Sequence, residues 1–262
     1  MKRFECSAIL FDLDGVLVDS AAYVERQWRR WASDHGLAPE PFLRVCHGRR
    51  ALETIRLAAP QLDAEAEVRA FLTVDEPDAA PIGPLAGAAR LLSTLPPGSW
   101  AVVTSGTRTT ATGRLRTAGL EVPPVMVCAE DVILGKPSPE AYLLAARGLG
   151  VASPDCLIVE DAPAGIQAAR SAGIPVLGLT TTHPRAQILA DACAESLAGV
   201  HLGRVDRDAH GQVRLEVLVV EILAPIVILS PGFALTSSPP PAPPPASSAL
   251  HRSASRPRPH DT

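Results

Sequence analysis

Two aspartates one residue apart, Asp12 and Asp14, have the clearest chemical potential in this sequence. They follow an apolar run, Ile9 to Phe11, that is too short for a helix and predicts a buried strand. Because side chains alternate along an extended chain, both carboxylates are expected on the same side. Carboxylates this close repel each other unless a cation neutralises them, and Mg²⁺ commonly binds one or two carboxylates together with a phosphate. The pair indicates metal-assisted phosphate chemistry, although an isolated Asp-x-Asp-Gly pattern is more often an acidic turn.

The rarity of lysine makes position 136 informative. Lysine occurs only at positions 2 and 136, and every other one of the 24 basic residues is arginine. An ammonium group is a compact point charge that suits a phosphate, whereas a guanidinium is a broad planar fork. Lys136 is therefore predicted to contact a phosphate, and the alternative is an incidental replacement of arginine.

Two further apolar runs end in polar residues. Thr104-Ser105-Gly106 follows one of them and precedes a predicted helix, so that a hydroxyl and free backbone N–H groups suit an anion. Glu160-Asp161 follows the other. Acids at the end of a buried strand are costly unless they are paired or bound to a metal.

Together these motifs resemble those of the haloacid dehalogenase-like phosphohydrolases, in particular the sugar-phosphatase and β-phosphoglucomutase-like members that have a helical cap. The resemblance covers most of residues 8–180. It is carried, in chain order, by Phe11-Asp12-Leu13-Asp14-Gly15-Val16-Leu17-Val18-Asp19-Ser20, Thr104-Ser105-Gly106, Gly135-Lys136-Pro137-Ser138-Pro139 and Glu160-Asp161.

The resemblance implies a role for each acid. Asp12 would attack phosphorus and form an aspartyl-phosphate, and the Asp14 carboxyl would protonate the leaving alcohol and then activate water. The cofactor would be Mg²⁺, held by the Asp12 carboxylate, the Asp14 backbone carbonyl and Asp161. Glu160 would orient these ligands.

The resemblance also implies phosphate contacts and a substrate loop. Thr104, Ser105 and Lys136 would hold the phosphoryl oxygens. In the loop Cys46 to Arg50, Gly48 and Arg49 would face the substrate, although the alternative for this loop is a solvated basic turn.

The elements that must position these residues alternate between strand and helix, which predicts a parallel sheet. In such sheets ligands bind beyond the carboxyl ends of the strands, where all four motifs lie. The predicted strands are Ile9–Phe11, Trp100–Val103, Val125–Cys128, Cys156–Val159 and Pro175–Thr180. The predicted helices are Ala21–His35, Ala51–Ala59, Ala64–Leu72, Leu85–Leu95 and Arg108–Ala118, with two more after Pro139 and Ala162.

The fold class predicted is α/β, a Rossmann-like core with an inserted all-helical cap and a disordered C-terminal tail. The core is assigned to residues 1–17 and 87–200, the cap to 18–86, with Asp75 to Pro84 as the return linker. Residues 201–230 hold a possible added strand, Val213 to Val220. Residues 231–262 are rich in Pro, Ser and Ala and cannot build a core, so we expect them to be disordered.

Bulk composition limits the partners. The chain has 262 residues, 47% of them hydrophobic, and a net charge of −4, which gives no reason to expect nucleic acid or a membrane. Its five cysteines are scattered without metal-site spacing, which favours reduced thiols in the cytoplasm. No signal peptide is predicted, because Asp12 interrupts the first apolar run. We expect a monomer acting on a small phosphorylated metabolite.

The function expected is Mg²⁺-dependent hydrolysis of a small sugar- or polyol-phosphate monoester through an aspartyl-phosphate. A phosphosugar mutase is the alternative, since the motifs do not separate the two activities. A non-catalytic binding protein on the same fold is a third reading, against which the intact acids and Lys136 argue. Dehalogenation is disfavoured, because the family's dehalogenases lack the second acid that Asp14 supplies.

Overall fold

The structure is a computed structural model that describes residues 1–71, 82–209 and 211–222. Within these ranges the strands form a six-stranded and a three-stranded sheet. The strands are β1 (Lys2–Cys6), β2 (Ala8–Phe11), β3 (Trp100–Val103), β4 (Met126–Val127), β5 (Cys156–Glu160), β6 (Val176–Leu179), β7 (Ala192–Ala194), β8 (Val200–Arg207) and β9 (Val213–Val219). The helices are α1 (Ala21–Asp34), α2 (Glu40–Leu43), α3 (Ala51–Ala58), α4 (Ala64–Phe71), α5 (Ala88–Thr94), α6 (Arg108–Thr117), α7 (Glu140–Leu149) and α8 (Pro163–Ser171).

The larger sheet has the order β4-β3-β2-β5-β6-β7, and all of its strand pairs are parallel. Strand β2 lies near its centre and is buried throughout, as its apolar sequence predicts. Its side chains alternate between two cores, Ile9 and Phe11 on one face and Ala8 and Leu10 on the other. The predicted Rossmann-like α/β core is confirmed, and the carboxyl ends of its strands bring distant motifs together.

The sequence-based strand list was incomplete. The last strand of the large sheet, β7, has three residues and was not predicted. Strands β1, β9 and β8 pair antiparallel in a second sheet, of which only the strand at Val213–Val219 was expected. Strand β8 is almost entirely exposed, and β1 buries only two of its five residues. Neither strand therefore carries the apolar run by which the others were found.

The helix predictions were nearly right in position. Helix α5 begins at Ala88 and not at Leu85, because Gly87 before it has a left-handed φ of 90°. The four-residue helix α2 was not predicted. None of the helices in the described ranges is both long and apolar enough to cross a lipid bilayer.

Helices α1 to α4 follow β2 directly and enclose an aromatic core of their own. The Trp28 ring stacks on Phe42 and on Phe71, with ring centroids 5.6 and 4.4 Å apart. The chain enters and leaves this helical segment through two adjacent segments joined by backbone hydrogen bonds: Asp19 donates its N–H to the Gly83 carbonyl, and Leu85 donates to the Leu17 carbonyl, each at 2.9 Å. The assignment of residues 18–86 to a separate cap remains a proposal that this separate core supports.

Two expectations fall outside the described residues. Most of the return linker, Asp75 to Pro84, lies in the undescribed range 72–81. The Pro-rich tail from Pro231 to Thr262 lies beyond residue 222.

Candidate active site

The centre of the site is an ion-pair network at the carboxyl ends of β2 and β5. Asp12 follows β2 directly and donates its backbone N–H to Val159 at 3.0 Å. The Lys136 ammonium donates to Asp12 Oδ1 at 2.5 Å, to Glu160 Oε1 at 2.7 Å and to the Val103 carbonyl at 3.1 Å. The Lys136 side chain is 1% exposed. Residues 12, 136 and 160, far apart in the sequence, therefore form one buried cluster.

Both carboxylate oxygens of Glu160 accept hydrogen bonds from neighbouring groups. Its Oε1 accepts hydrogen bonds from Lys136 and from the Tyr142 hydroxyl, the latter at 2.7 Å. Its Oε2 accepts from the backbone N–H groups of Asp161 and Ala162, at 3.0 and 3.2 Å. Tyr142 was missed from the sequence, since a tyrosine within an apolar helix gives no chemical signal. With both oxygens occupied, Glu160 is suited to holding Lys136 and the turn that carries Asp161.

The cluster has an excess of negative charge. Asp12, Glu160 and Asp161 are buried, and oxygens from the three carboxylates lie within 4.8 Å of one another. Burial raises the pKa of Asp12, with Glu160 and Asp14 adding to the rise against the lowering by Lys136. Burial and the Glu160 charge likewise raise the pKa of Asp161. For Lys136, burial lowers the pKa, but Asp12 and Glu160 together raise it, so the ammonium stays charged.

One oxygen of this cluster lacks a partner. Asp161 Oδ2 accepts from the Thr182 hydroxyl at 2.5 Å, but Oδ1 is buried without a hydrogen bond among the described residues. A side chain at Gly15 would collide with Asp161, so glycine keeps the space beside the carboxylate open. A buried orphan oxygen, three carboxylates and one ammonium fit a hard divalent cation such as Mg²⁺.

Asp14 lies apart from this cluster and faces other partners. Its Oδ1 accepts hydrogen bonds from the Ser20 hydroxyl and from Arg114 Nη1, both at 2.5 Å. The Asp14 side chain is 24% exposed, whereas that of Arg114 is only 10% exposed. Arg114 belongs to α6, and no motif or spacing in the sequence pointed to it. Its contact with Asp14 exists only because the fold brings β2 and α6 together.

The second motif contributes a hydroxyl and a contact with the helical segment. Thr104 is buried, and its Oγ1 accepts the Gly106 N–H at 3.0 Å, which leaves the hydroxyl proton free to be donated. Ser105 donates its hydroxyl to the Gly48 carbonyl at 2.9 Å. The Ser105 side chain thus joins core to helical segment, and its contribution to phosphate binding would come from the backbone N–H.

The loop from Cys46 to Arg50 meets the core closely. Gly48 has a φ of 74°, and a Cβ there would lie 2.7 Å from the Cβ of Ala162, so only glycine allows this approach. The side chain of His47 is largely buried, with its Nε2 3.7 Å from a carboxylate oxygen of Glu25. Burial lowers the pKa of His47, against opposing effects of Glu25.

The adjacent arginines of this loop have different environments. Arg49 lines the cavity, and its guanidinium has no ion pair or hydrogen bond within the described ranges. Arg50 instead donates to the carbonyls of Ala129, Val132 and Ile133, at 2.9 to 3.1 Å, and pairs with Glu53. Arg50 was not singled out from the sequence, yet it bonds the helical segment to the loop before Lys136.

A cavity of about 410 Å³ separates the core from the helical segment. Its volume falls within the range of small-molecule sites, about 300–1,000 Å³. Aromatic and aliphatic side chains of α1 and α4 cover the far side. The sequence-predicted residues that line it are Asp12, Asp14, Gly48, Arg49, Thr104 and Ser105. Lys136 and Asp161 lie buried behind Asp12, so all the predicted site residues meet at one end of the sheet.

Comparison with known proteins finds phosphatases among the relatives of this chain. Hexitol phosphatase A of Escherichia coli (strain K12) is 44% identical over 179 residues, 66% of this chain and 83% of that protein. Glycerol-1-phosphate phosphohydrolase 2 of Saccharomyces cerevisiae is 33% identical over 194 residues, 67% of this chain and 75% of that protein.

The structural comparison shows the same fold. A crystal structure of β-phosphoglucomutase from Clostridium difficile superimposes with a TM-score of 0.59 at 23% identity, covering 74% of this chain and 92% of that one. The family described as haloacid dehalogenase-like hydrolase matches residues 6–173, which include all four motifs. The chain therefore belongs to the haloacid dehalogenase-like hydrolase family.

Proposed function

We propose that this protein is a Mg²⁺-dependent phosphatase that hydrolyses a small sugar- or polyol-phosphate monoester through an aspartyl-phosphate. The observation that carries the proposal is the position of the Asp12 carboxylate. It lies at the floor of a metabolite-sized cavity, bound to the Lys136 ammonium at 2.5 Å and beside Asp14 and Thr104. The names of the hexitol and glycerol-1-phosphate phosphatases support this substrate class.

In the first half-reaction, an Asp12 carboxylate oxygen attacks phosphorus, and the bond from phosphorus to the leaving oxygen breaks. Asp14 gives its carboxyl proton to that oxygen, so the alcohol leaves neutral. Lys136 and the Thr104 hydroxyl offer donors to the phosphoryl oxygens, which carry more charge in the transition state. The products are free alcohol and phosphorylated Asp12.

In the second half-reaction, the Asp14 carboxylate takes a proton from water as the water oxygen attacks phosphorus. The bond from phosphorus to Asp12 then breaks, which restores both aspartates to their starting states and releases inorganic phosphate. The same Asp14 serves as acid and then as base, as a two-step transfer through one covalent intermediate requires.

Mg²⁺ would be held by the Asp12 and Asp161 carboxylates and the Asp14 backbone carbonyl, and when bound it neutralises charge between phosphate and carboxylates. Glu160 keeps Lys136 and the Asp161 turn in place. Asp161 Oδ1, buried without a partner in the described ranges, is the atom that this assignment explains.

The cavity supports a small, uncharged leaving group. Its lining includes Gln27, Thr107 and Thr110 as hydrogen-bonding groups, and Trp28 and Phe71 as apolar surface. A polyol or sugar has hydroxyls for the first and C–H faces for the second. The five cysteines are free and buried, in keeping with the proposed cytoplasmic setting.

A phosphate-release screen tests the proposal. Purified protein with Mg²⁺ is incubated with sugar phosphates, polyol phosphates, phosphoglycolate and nucleotides, and both inorganic phosphate and organic products are measured. We expect the fastest release from a hexitol, hexose or glycerol phosphate. Transfer of phosphate to another hydroxyl without release would establish the mutase alternative, and turnover of none of these compounds would overturn catalysis on this class.

A further inference from the structure

Arg114 stands out in the cavity because the four motifs do not include it, yet it bonds a residue that they do. Its Nη1 lies 2.5 Å from Asp14 Oδ1, and its side chain is only 10% exposed. Position 114 lies within α6, one hundred residues from Asp14 along the chain. Such a partly buried, charge-assisted contact with the proposed proton donor suggests a functional role.

The contact divides the Asp14 carboxylate into two unlike oxygens. Arg114 and the Ser20 hydroxyl both donate to Oδ1, at 2.5 Å each. Among the described residues, Oδ2 has no hydrogen-bond partner. A guanidinium cannot accept a proton, so it fixes Oδ1 as an acceptor and leaves Oδ2 as the oxygen that carries the exchanging proton.

Arg114 also contacts the helical segment. Its guanidinium carbon lies 5.4 Å from the centre of the Tyr23 ring, within the range of a cation–π interaction. Tyr23 lies in the first turn of α1, which begins directly after Ser20. Arg114 therefore touches α1 and Asp14 at once, and the Asp14 orientation depends on α1 lying over the cavity.

Direct binding of a second anionic group of the substrate is the competing role for Arg114. A substrate anion at this guanidinium would first have to displace Asp14, which already neutralises it at 2.5 Å. Arg49 is the better candidate for such a group, because it lines the cavity without an ion pair among the described residues. The geometry favours a role exerted through Asp14.

We propose that Arg114 is a positioning residue for proton transfer, holding Oδ1 of Asp14 so that Oδ2 serves the leaving oxygen and then the attacking water. This inference rests on the proposed function, in which Asp14 exchanges the proton. It predicts that removal of Arg114 lowers the rate of the first step most for substrates whose leaving group must be protonated. It also predicts that removal of Arg114 has little further effect on the rate when Asp14 has already been replaced by a residue that cannot transfer a proton.

The test uses two aryl phosphates, so that it does not depend on knowing the natural substrate. Phenolate is a much poorer leaving group than p-nitrophenolate and gains more from protonation. Arg114→Met removes the charge at similar length, Arg114→Lys keeps a donor, and Arg116→Met is the matched control on the exposed side of α6. Each is made in the wild-type and in the Asp14→Asn background, and kcat, KM and the burst of released phenol are measured.

In the wild-type background, Arg114→Met should lower kcat for phenyl phosphate about 10- to 100-fold and KM little, because it disturbs the general acid, worth about 10²–10⁴ in rate, without removing it. The rate of the p-nitrophenol burst should fall by less than about threefold, since p-nitrophenolate leaves without a proton. Arg114→Lys should recover much of kcat, and Arg116→Met should match wild type. In the Asp14→Asn background, Arg114→Met should add less than about twofold, the signature of one residue acting through another.

Several results would overturn the inference. An undiminished loss in the Asp14→Asn background would show that Arg114 acts independently of Asp14. A raised KM with unchanged kcat would show direct binding of the substrate. Equal losses in the rate of the phenol burst, which reports only the first step, with both aryl phosphates would show a structural role. If wild type cleaves both aryl phosphates but no sugar or polyol phosphate, only the proposed substrate class fails, whereas cleavage of neither would overturn both proposals.

Discussion

The two sides of the cavity are built by different physical means. On the sheet side, Asp12, Lys136 and Glu160 are buried in a network whose members satisfy one another. On the helical side, Arg49 is half-buried, with no ion pair within the described residues, above an aromatic core formed by other residues. The contrast indicates that the sheet side has one arrangement suited to phosphoryl transfer. Substitutions on the helical side can therefore change which leaving group the cavity accepts without disturbing that arrangement.

Removal of the nucleophile is the harshest test of the sheet side. Asp12→Asn keeps a hydrogen-bond acceptor for Lys136 but cannot form a stable acyl phosphate, so phosphate release should fall below detection for every substrate. The check is a phosphate assay alongside intact-mass spectrometry, in which only wild type shows an added phosphate. Residual turnover with phosphate on another residue would contradict the assignment of Asp12.

Metal removal should be nearly as severe. Three buried carboxylates face one ammonium, and burial raises the pKa values of Asp12 and Asp161, so a further cation would favour their ionised forms. EDTA should abolish phosphate release, and added Mg²⁺ should restore it. Full activity in the presence of chelator, with no metal found by elemental analysis, would contradict the proposed metal site.

Asp14→Asn should have a smaller and substrate-dependent effect. It keeps the nucleophile and the backbone carbonyl, and it loses general acid–base help, about 10²–10⁴ in rate. With p-nitrophenyl phosphate the first step needs no proton, so a burst of p-nitrophenol should precede slow hydrolysis of the phosphoenzyme. Absence of a burst in protein that retains Mg²⁺, or phosphate found on Asp14 in wild type, would refute the division of labour.

Arg50 tests how far the helical side supports the sheet side. Arg50→Gln removes donors from three carbonyls of the loop before Lys136 and leaves Glu53 without its guanidinium. The unfolding free energy should fall by about 1–3 kcal/mol, the usual cost of stranding buried polar groups. Because Lys136 adjoins this loop, kcat/KM should fall by the same factor for the preferred substrate and for p-nitrophenyl phosphate. A loss on one substrate alone would assign Arg50 to substrate contact.

Arg49 is the matched neighbour, and its removal should have the smallest effect on stability. Arg49→Ala removes a side chain that lines the cavity without an ion pair in the described ranges, so stability should hardly change. If Arg49 binds the leaving group, kcat/KM for the preferred substrate should fall about 10- to 100-fold, the worth of a hydrogen bond to a charged group. The p-nitrophenyl phosphate value should fall much less. Equal losses on both would mean that Arg49 serves the phosphate or the fold.

The sequence by itself determined which motif residues of the sheet side come together, although it did not reveal Tyr142. Asp12, Thr104 and Glu160-Asp161 lie at the ends of short apolar strands, so their directions are set by local rules. Parallel strands collect their carboxyl ends at one edge, and four separate motifs thereby meet at one place. Lys136 was recognisable because the chain otherwise uses arginine, and the structure buries it between Asp12 and Glu160.

Tertiary structure alone decided the contacts of Arg114, Arg50 and Tyr142. Each belongs to a helix, or begins one, where arginine and tyrosine are ordinary, and each acquires its partner only when another element packs beside it. The antiparallel sheet of β1, β9 and β8 was missed for a related reason. Its outer strands are largely exposed and held by backbone pairing, which leaves little trace in the pattern of apolar residues.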